Sequence, residues 1–213
     1  MKVGVLGSGG VAQALGTGFA GAKHQVMLGT REPGAAKVKD WIKRTGGSAG
    51  SPADAARFGE LIALATSWDG TENSLRLAGP DNLAGKVLID VTNPLVFHGT
   101  AMPTLALGWN DSAGEQVQRW APKARVVKAF NIVTAGQMVH PTIPGGPPDM
   151  FICGNDPAAK QVVTGICKEF GWPTIDLGGI ELARYIEPLA MVVITIGFQT
   201  GKWNHALKLL RER

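Results

Sequence analysis

The chain is short of the side chains that usually carry proton or group transfer. Its 213 residues include one tyrosine, two cysteines and four histidines. Cys153 and Cys167 have neither metal-ligand spacing nor a disulfide framework, and read as reduced thiols of a cytosol. His24, His98, His140 and His205 are dispersed and suggest no metal site. No Ser-His-Asp set, paired carboxylate or lysine-centred cluster stands out, so no residue is assigned a catalytic role. The longest apolar run, Leu189 to Phe198, is far below the roughly 20 residues of a membrane helix. Lys2 leads at once into an apolar strand and a glycine loop, which is not the pattern of a signal peptide. A cytoplasmic protein without a membrane partner is expected. Charged residues are 18% of the chain and the net charge is only +4, partly gathered after Thr30, so nucleic acid is not expected as a partner.

Glycine is plentiful, at 29 residues, and the informative ones come first. Val3 to Leu6 form a short apolar strand that runs into Gly7-Ser8-Gly9-Gly10-Val11-Ala12, and a helix-forming stretch follows. This is Gly-x-Gly-x-x-Ala in the strand-to-helix context of a dinucleotide site. Gly7 permits the tight turn, Gly9 lets backbone approach a pyrophosphate, and Ala12 lets helix and strand pack closely. The helix N-terminus, with unpaired N–H groups and the positive end of its dipole, would face the anion.

The end of the next strand, Gln25 to Gly29, selects the dinucleotide. An NAD site usually has Asp or Glu about 20 residues past the glycines, accepting from the ribose hydroxyls. Here the chain reads Gly29-Thr30-Arg31, and a hydroxyl and a guanidinium suit a 2′-phosphate. NADP is therefore expected over NAD. Glu32 lies one residue too late and is expected to face solvent. Lys37 is a candidate second phosphate contact, whereas Lys39, Lys43 and Arg44 read as a solvated helix face.

Strand and helix patterns alternate to the end. They predict an α/β protein: a Rossmann-type, doubly wound, mainly parallel sheet with a small C-terminal α/β extension. Ser51-Pro52 reads as N-cap and first helical residue of a helix to about Phe58. A strand over Leu61–Ala65, a helix over Ser74–Leu83 and a strand over Lys86–Asp90 follow. Leu95 to Asp111 reads as a long loop, a length that is usually functional. Ser112-Ala-Gly-Glu115 reads as a capping box ahead of a helix, and Arg125–Ala129 as a strand. The turn-rich Pro141–Pro148 is the candidate boundary. It divides an NADP-binding domain, 1–140, from a small C-terminal domain, 141–213, that packs on it and supplies the acceptor site and dimer contacts. Beyond it come a strand at Met150–Cys153, a helix opened by Asp156-Pro157 and a strand at Thr174–Leu177. In the last helix Leu182, Ile186, Leu189, Val193 and Ile196 recur at helical spacing, which predicts a buried face. Pro188 should bend or restart that helix.

Ligands of open parallel sheets bind beyond the carboxyl ends of the strands. That rule gathers Thr66-Ser67-Trp68, Asn93-Pro94 and Ala129-Phe130-Asn131 into one site able to pack or hydrogen-bond a nicotinamide. Asn93 and Asn131 also suit plain turns after strands. Trp68 and Trp109 offer flat surface to a planar second substrate, and His98 is the histidine expected nearest the site. A carbonyl substrate usually calls for a Tyr, Lys or His acid, and the single tyrosine, Tyr185, lies in the last helix. This favours hydride transfer between nicotinamide and a second redox ring, where the cofactor supplies the chemistry. Two other readings stand beside it. One is a carbonyl or imine reductase, for which the residues after Pro141 are too few to form the usual large helical domain. The other is a non-catalytic NADPH-binding sensor.

The ordered series GSGGVAQALGTGFA, LGTR, LATSWD, VLIDVTNPL, VVKAFN, FICGNDPAAK and DLGGIELARYIEPLA resembles the coenzyme F420-dependent NADP oxidoreductase family from end to end. The N-terminal domain of STEAP-type metalloreductases is similar. The resemblance implies a Rossmann domain with a small C-terminal part, a homodimer, and hydride exchange between NADP(H) and F420. It implies NADP contacts from Gly7, Ser8, Gly9, Gly10, Val11, Ala12, Thr30 and Arg31. Asn131 departs from the archaeal F420 enzymes, which place a histidine near the deazaflavin at this position. KAFN is closer to the broader bacterial and STEAP-like branch, so F420, FMN and FAD are all implied as the co-substrate.

Overall fold

A computed structural model describes residues 1–210 and 212. The chain begins β1 (Lys2–Leu6), α1 (Gly10–Gly21), β2 (Gln25–Gly29), α2 (Ala36–Thr45), β3 (Ser48–Gly50), α3 (Pro52–Phe58) and β4 (Leu61–Leu64). It continues through α4 (Trp68–Ala78), α5 (Pro80–Leu83), β5 (Val87–Asp90), β6 (Leu95–His98), β7 (Ala101–Leu105), α6 (Ala113–Trp120) and β8 (Arg125–Lys128). After a 3-10 turn at Ala135–Gln137 come β9 (Met150–Gly154), α7 (Pro157–Glu169), β10 (Thr174–Asp176) and α8 (Ala183–Thr200).

Eight strands form one sheet in the order β10-β9-β8-β5-β4-β1-β2-β3. All pairs are parallel except β8 with β9. This is the expected doubly wound α/β sheet. Every residue of β4 and β5 is buried, which requires cover on both faces. From β3 the chain returns past β1 to β4, so the strand order reverses at β1, and such a reversal opens a crevice at the carboxyl ends. The register puts Gly29, Leu6, Leu64, Asp90 and Lys128 in one row across five strands. The loops that follow this row therefore leave the sheet at one level.

The strands after the turn-rich Pro141–Pro148 extend the same sheet, and their helix shares its core. Phe170 packs on Phe19 of α1 at 5.0 Å and on Phe130 after β8 at 5.9 Å between ring centroids. Trp172 is buried and its Nε1 donates to Met138 O (2.8 Å). Trp41 of α2 is fully buried and donates to Gln13 O and Thr17 Oγ1 of α1. Cys153 and Cys167 are free and buried, and burial pushes each thiol up to about 12. No helix among the described residues is long and apolar enough to cross a membrane.

Several elements differ from expectation. The helix predicted over Ser74–Leu83 is two. It starts at Trp68, after Ser67 in extended conformation, and stops at Gly79 (φ 85) before Pro80, which opens α5. The glycine supplies the left-handed turn and the proline cannot continue the ladder. The long loop over Leu95–Asp111 contains the antiparallel hairpin β6–β7, turned at Gly99 (φ 61). Strand β3, three residues between α2 and α3, was not anticipated; it is too short to show an apolar pattern. The capping box at Ser112 is half made. Its Oγ accepts from Glu115 N, but Ser112 N donates to Asp111, leaving Glu115 to pair with Arg184. Pro188 does not restart α8, which is continuous over 18 residues. Its buried stripe is Ala183, Ile186, Glu187, Ala190, Val193 and Gly197, whereas Ile196 is exposed.

Candidate active site

The first cleft opens where β1 hands over to α1. Gly7 has φ +127, and an added Cβ would stand 2.3 Å from Ala65 O, so only glycine makes this turn. Gly9 caps α1 in extended conformation, with no side-chain cap and no acidic residue in the first turn. The leading N–H groups of the helix therefore have no internal partner at its electropositive end. A Cβ on Gly9 or Gly10 would meet nothing within 4 Å. The cavity of about 280 Å³ alongside is bordered by Gly7, Ser8, Gly9, Thr30, Arg31 and Ser67, with Thr66. Ser8 Oγ and Thr30 Oγ1 are hydrogen-bonded at 3.1 Å, and Thr30 N donates to Gly50 O (3.0 Å). Arg31 is exposed at the rim, and Glu32, exposed as expected, does not border the cavity. The walls thus offer N–H groups, hydroxyls and a guanidinium but no carboxylate, a fit for a pyrophosphate and a further phosphate.

A second cavity, about 250 Å³, lies beyond β5 and β8. Val11, the second residue of α1, borders it, along with Asn93, Asn131, Thr134, Ile194 and Trp203. Asn93 Nδ2 donates to Asn131 O (2.8 Å), and Asn131 Nδ2 donates to Asn93 Oδ1 (2.9 Å) and to Ile186 O (3.3 Å). Asn131 Oδ1 is buried without a partner. Phe130 takes φ +60, uncommon for a bulky residue, and this reversal sends its ring into the core while Asn131 turns to Asn93.

Other predicted residues lie apart from the two cavities. Gly10 borders a shallow groove along α1, and Ala12, Pro94 and Ala129 are buried behind the clefts. Lys37 is exposed on α2 and borders neither cavity. Trp68 turns its ring onto Trp120 at 5.4 Å between centroids. His98 is exposed in the hairpin, bonded to Thr104 Oγ1 (2.9 Å), and Trp109 is 99% exposed. Conversely, Gly70, Asn73, Ser74 and Leu77, one face of α4, line the first cavity. Their i, i+3, i+4, i+7 spacing is the signal that a helix begun at Trp68 would have revealed.

Beneath the second cavity lies a lysine-centred cluster that the sequence reading did not find. Lys128 Nζ is fully buried, 2.8 Å from Asp90 Oδ2, 2.8 Å from Glu187 Oε1 and 2.7 Å from Thr92 O. Asp90 Oδ1 accepts from Thr92 N and Oγ1 (2.9 and 2.7 Å). Glu187 accepts from Ala113 N and Gly114 N, the first N–H groups of α6 (2.9 and 3.0 Å). Burial alone would lower the lysine pKa, but the Asp90 and Glu187 carboxylates outweigh it and hold the ammonium above its ordinary value. The signal was present: Asp90 and Lys128 each close an apolar strand, and Glu187 interrupts an apolar helix.

The comparisons agree with this architecture. A family model described as NADP oxidoreductase, coenzyme F420-dependent, matches residues 2–94. The structure of a candidate F420-dependent NADP reductase from Arthrobacter sp. FB24 is 39% identical with a TM-score of 0.94, covering 99% of this chain and 100% of that one. An F420-dependent NADP reductase from Methanocaldococcus jannaschii is 29% identical over 211 residues, 93% of each chain. Metalloreductase STEAP3 of Rattus norvegicus is 32% identical over 200 residues, 89% of this chain. The chain spans only 36% of the length of that rat protein.

Replacing Lys128 by Met would leave two buried carboxylates facing each other, and should destabilise the fold by about 3–5 kcal/mol. Because the lysine pKa is raised on folding, its contribution is fully present below the ordinary lysine value of about 10. It is lost as pH rises from there through the raised value. Denaturant midpoints of wild type and Lys128→Met should therefore differ by a constant amount from neutral pH upward and converge only in that alkaline range.

Proposed function

The chain belongs to the coenzyme F420-dependent NADP oxidoreductase family, and from that premise we propose that it is a cytoplasmic NADPH-dependent reductase of the deazaflavin F420. The observation that carries this reading is the pair of cavities flanking the N-terminus of α1, with Gly9 on one and Val11 on the other. The first takes the phosphorylated half of NADPH. Uncapped N–H groups at Gly9 and Gly10 hold the pyrophosphate, and Ser8, Thr30 and Arg31 hold the 2′-phosphate. We assign these contacts to 1–140, and the acceptor to the second cavity, which α8 and the C-terminal residues of 141–213 complete. When bound, NADPH would supply the hydride, and the proton that completes reduction of the acceptor would come from bulk solvent at the ring's outer edge, away from the reacting carbon.

The chain's own share is position and exclusion of water. Asn93 and Asn131 hold each other at the strand ends, and Ile194 and Val11 give the cavity apolar walls. No acid is needed at the reacting carbon, which fits a site holding amides and aliphatic side chains. The names of the Arthrobacter and Methanocaldococcus proteins favour F420 as the acceptor.

The test follows NADPH oxidation with F420, FMN and FAD offered separately, with NADH as control. Turnover with F420 and NADPH is expected, and NADPH binding without turnover on any ring would overturn the reading in favour of a sensor. Arg31→Ala should weaken NADPH by about 1.5–3 kcal/mol, the range for a charge-assisted hydrogen bond, and leave NADH nearly unchanged. Titration of each cofactor checks this, and equal losses would mean that Arg31 does not read the phosphate. Gly9→Ala has room in the fold, so its Tm should match wild type. Its methyl would stand where the pyrophosphate approaches, and NADPH affinity should fall at least about tenfold, about 1.4 kcal/mol.

A further inference from the structure

Beyond α8 the chain reverses at Gly201 (φ 66), and residues Lys202 to Leu210 run without regular secondary structure. This strap is nevertheless fastened along its length. Thr134 Oγ1 donates to Trp203 O (3.1 Å) and His205 Nε2 meets Val193 O (2.8 Å). Asp149 N donates to Leu207 O (3.0 Å), and Leu209 N donates to Asp149 Oδ2 (2.7 Å). The indole of Trp203 is fixed as well. A Cβ on Gly197 would stand 2.4 Å from it, so the bare helix surface at that glycine is the seat on which the ring lies. Phe198 meets it edge-on, at 5.8 Å and 78°.

Trp203 is thus a held aromatic that remains 44% exposed and borders the second cavity. On the same cavity Asn131, only 5% exposed, has an oxygen without a partner while its nitrogen is committed to Asn93 and, through a longer bond, to Ile186 O. A buried acceptor without a donor is costly. Asn131 lines the cavity, so a donor bound there is the partner this oxygen can gain. A flat indole beside an acceptor suits a planar ring that carries an N–H. The volume of about 250 Å³ suits a ring system without its tail.

We propose that Trp203 and Asn131 form the ring subsite of the hydride acceptor, with the heterocycle lying along the indole and its imide N–H donating to Asn131 Oδ1. Deazaflavin and flavin share this chemistry. The inference rests on the placement of the acceptor in the second cavity proposed above. Trp203 is a positioning residue, supplied by the strap beyond α8.

The test measures Kd for F420 and for FMN by their own fluorescence, Kd for NADPH, Tm, and the acceptor KM and kcat. Trp203→Ala, Trp203→Leu and Trp203→Phe are compared with wild type. The Leu variant keeps an apolar side chain on Gly197 without a stacking face, and serves where the Ala variant fails to fold. Loss of stacking should raise the acceptor Kd and KM by about tenfold, with NADPH Kd unchanged and most affinity restored by Phe. Preference of the ring for F420 or FMN in wild type identifies the source. Unchanged acceptor Kd in the Leu variant would overturn the proposal, as would equal weakening of acceptor and NADPH. Binding of both rings by wild type with no effect of Trp203 leaves the acceptor reading intact and removes this subsite. Binding of neither ring removes both.

Discussion

The Lys128 ammonium is the constraint on which the carboxyl end of the central sheet depends. It joins β8 to β5 through Asp90, fixes the turn after β5 through Thr92 O, and reaches α8 through Glu187. Glu187 in turn holds the first two N–H groups of α6. Two carboxylates against one ammonium leave an excess negative charge in the interior, and the positive end of α6 helps to offset it. A buried cluster of this kind adds little net stability compared with an apolar core of the same shape, but removing one partner is severe. Its use here is geometric. Four elements, β5, β8, α6 and α8, share one set of short, charge-assisted bonds, so the strand ends that lead to Asn93 and Asn131 are held at a fixed level.

Phe130 adds to this. Its left-handed backbone, one residue after Ala129, is tolerated because the ring is locked against Phe170 and its N–H meets Met150 Sδ (3.2 Å). The reversal lets Asn131 leave the strand direction and pair with Asn93 across the gap between β5 and β8. A strained residue held by packing on one side, with a polar pair beside a cavity on the other, is the arrangement expected where local strain serves a site.

Most of the fold was legible because buried parallel strands are short apolar runs and their helices are announced by caps such as Ser51-Pro52 and Asp156-Pro157. The first cavity was legible because residues that border it, the glycines and the Thr30-Arg31 pair, are local in sequence. The other side was not local. Trp203 reaches its cavity from seventy-two residues beyond Asn131, through a strap with no periodicity, and Lys128, Asp90 and Glu187 meet only after the sheet has formed. The hairpin β6–β7 was hidden because its strands are largely exposed, at Val96, Phe97 and Met102, and lack the buried alternation that marks a strand. Trp68 was misleading for a related reason, since Trp120, the partner that takes its ring, lies on another helix.

The two cavities differ in the groups they present, and Arg31 is on the first alone. Among the described residues no group of histidine, cysteine, aspartate and glutamate could hold a metal ion, and no charged side chain lines the second cavity. The surface left to a ligand is amide, aliphatic and indole. Such walls do little to bind a charge, but they suit the exclusion of water that the proposed hydride transfer requires. The charges thus serve the scaffold, and on the function proposed above the cofactor would bring the reactivity, leaving the uncharged walls of the second cavity to position the acceptor.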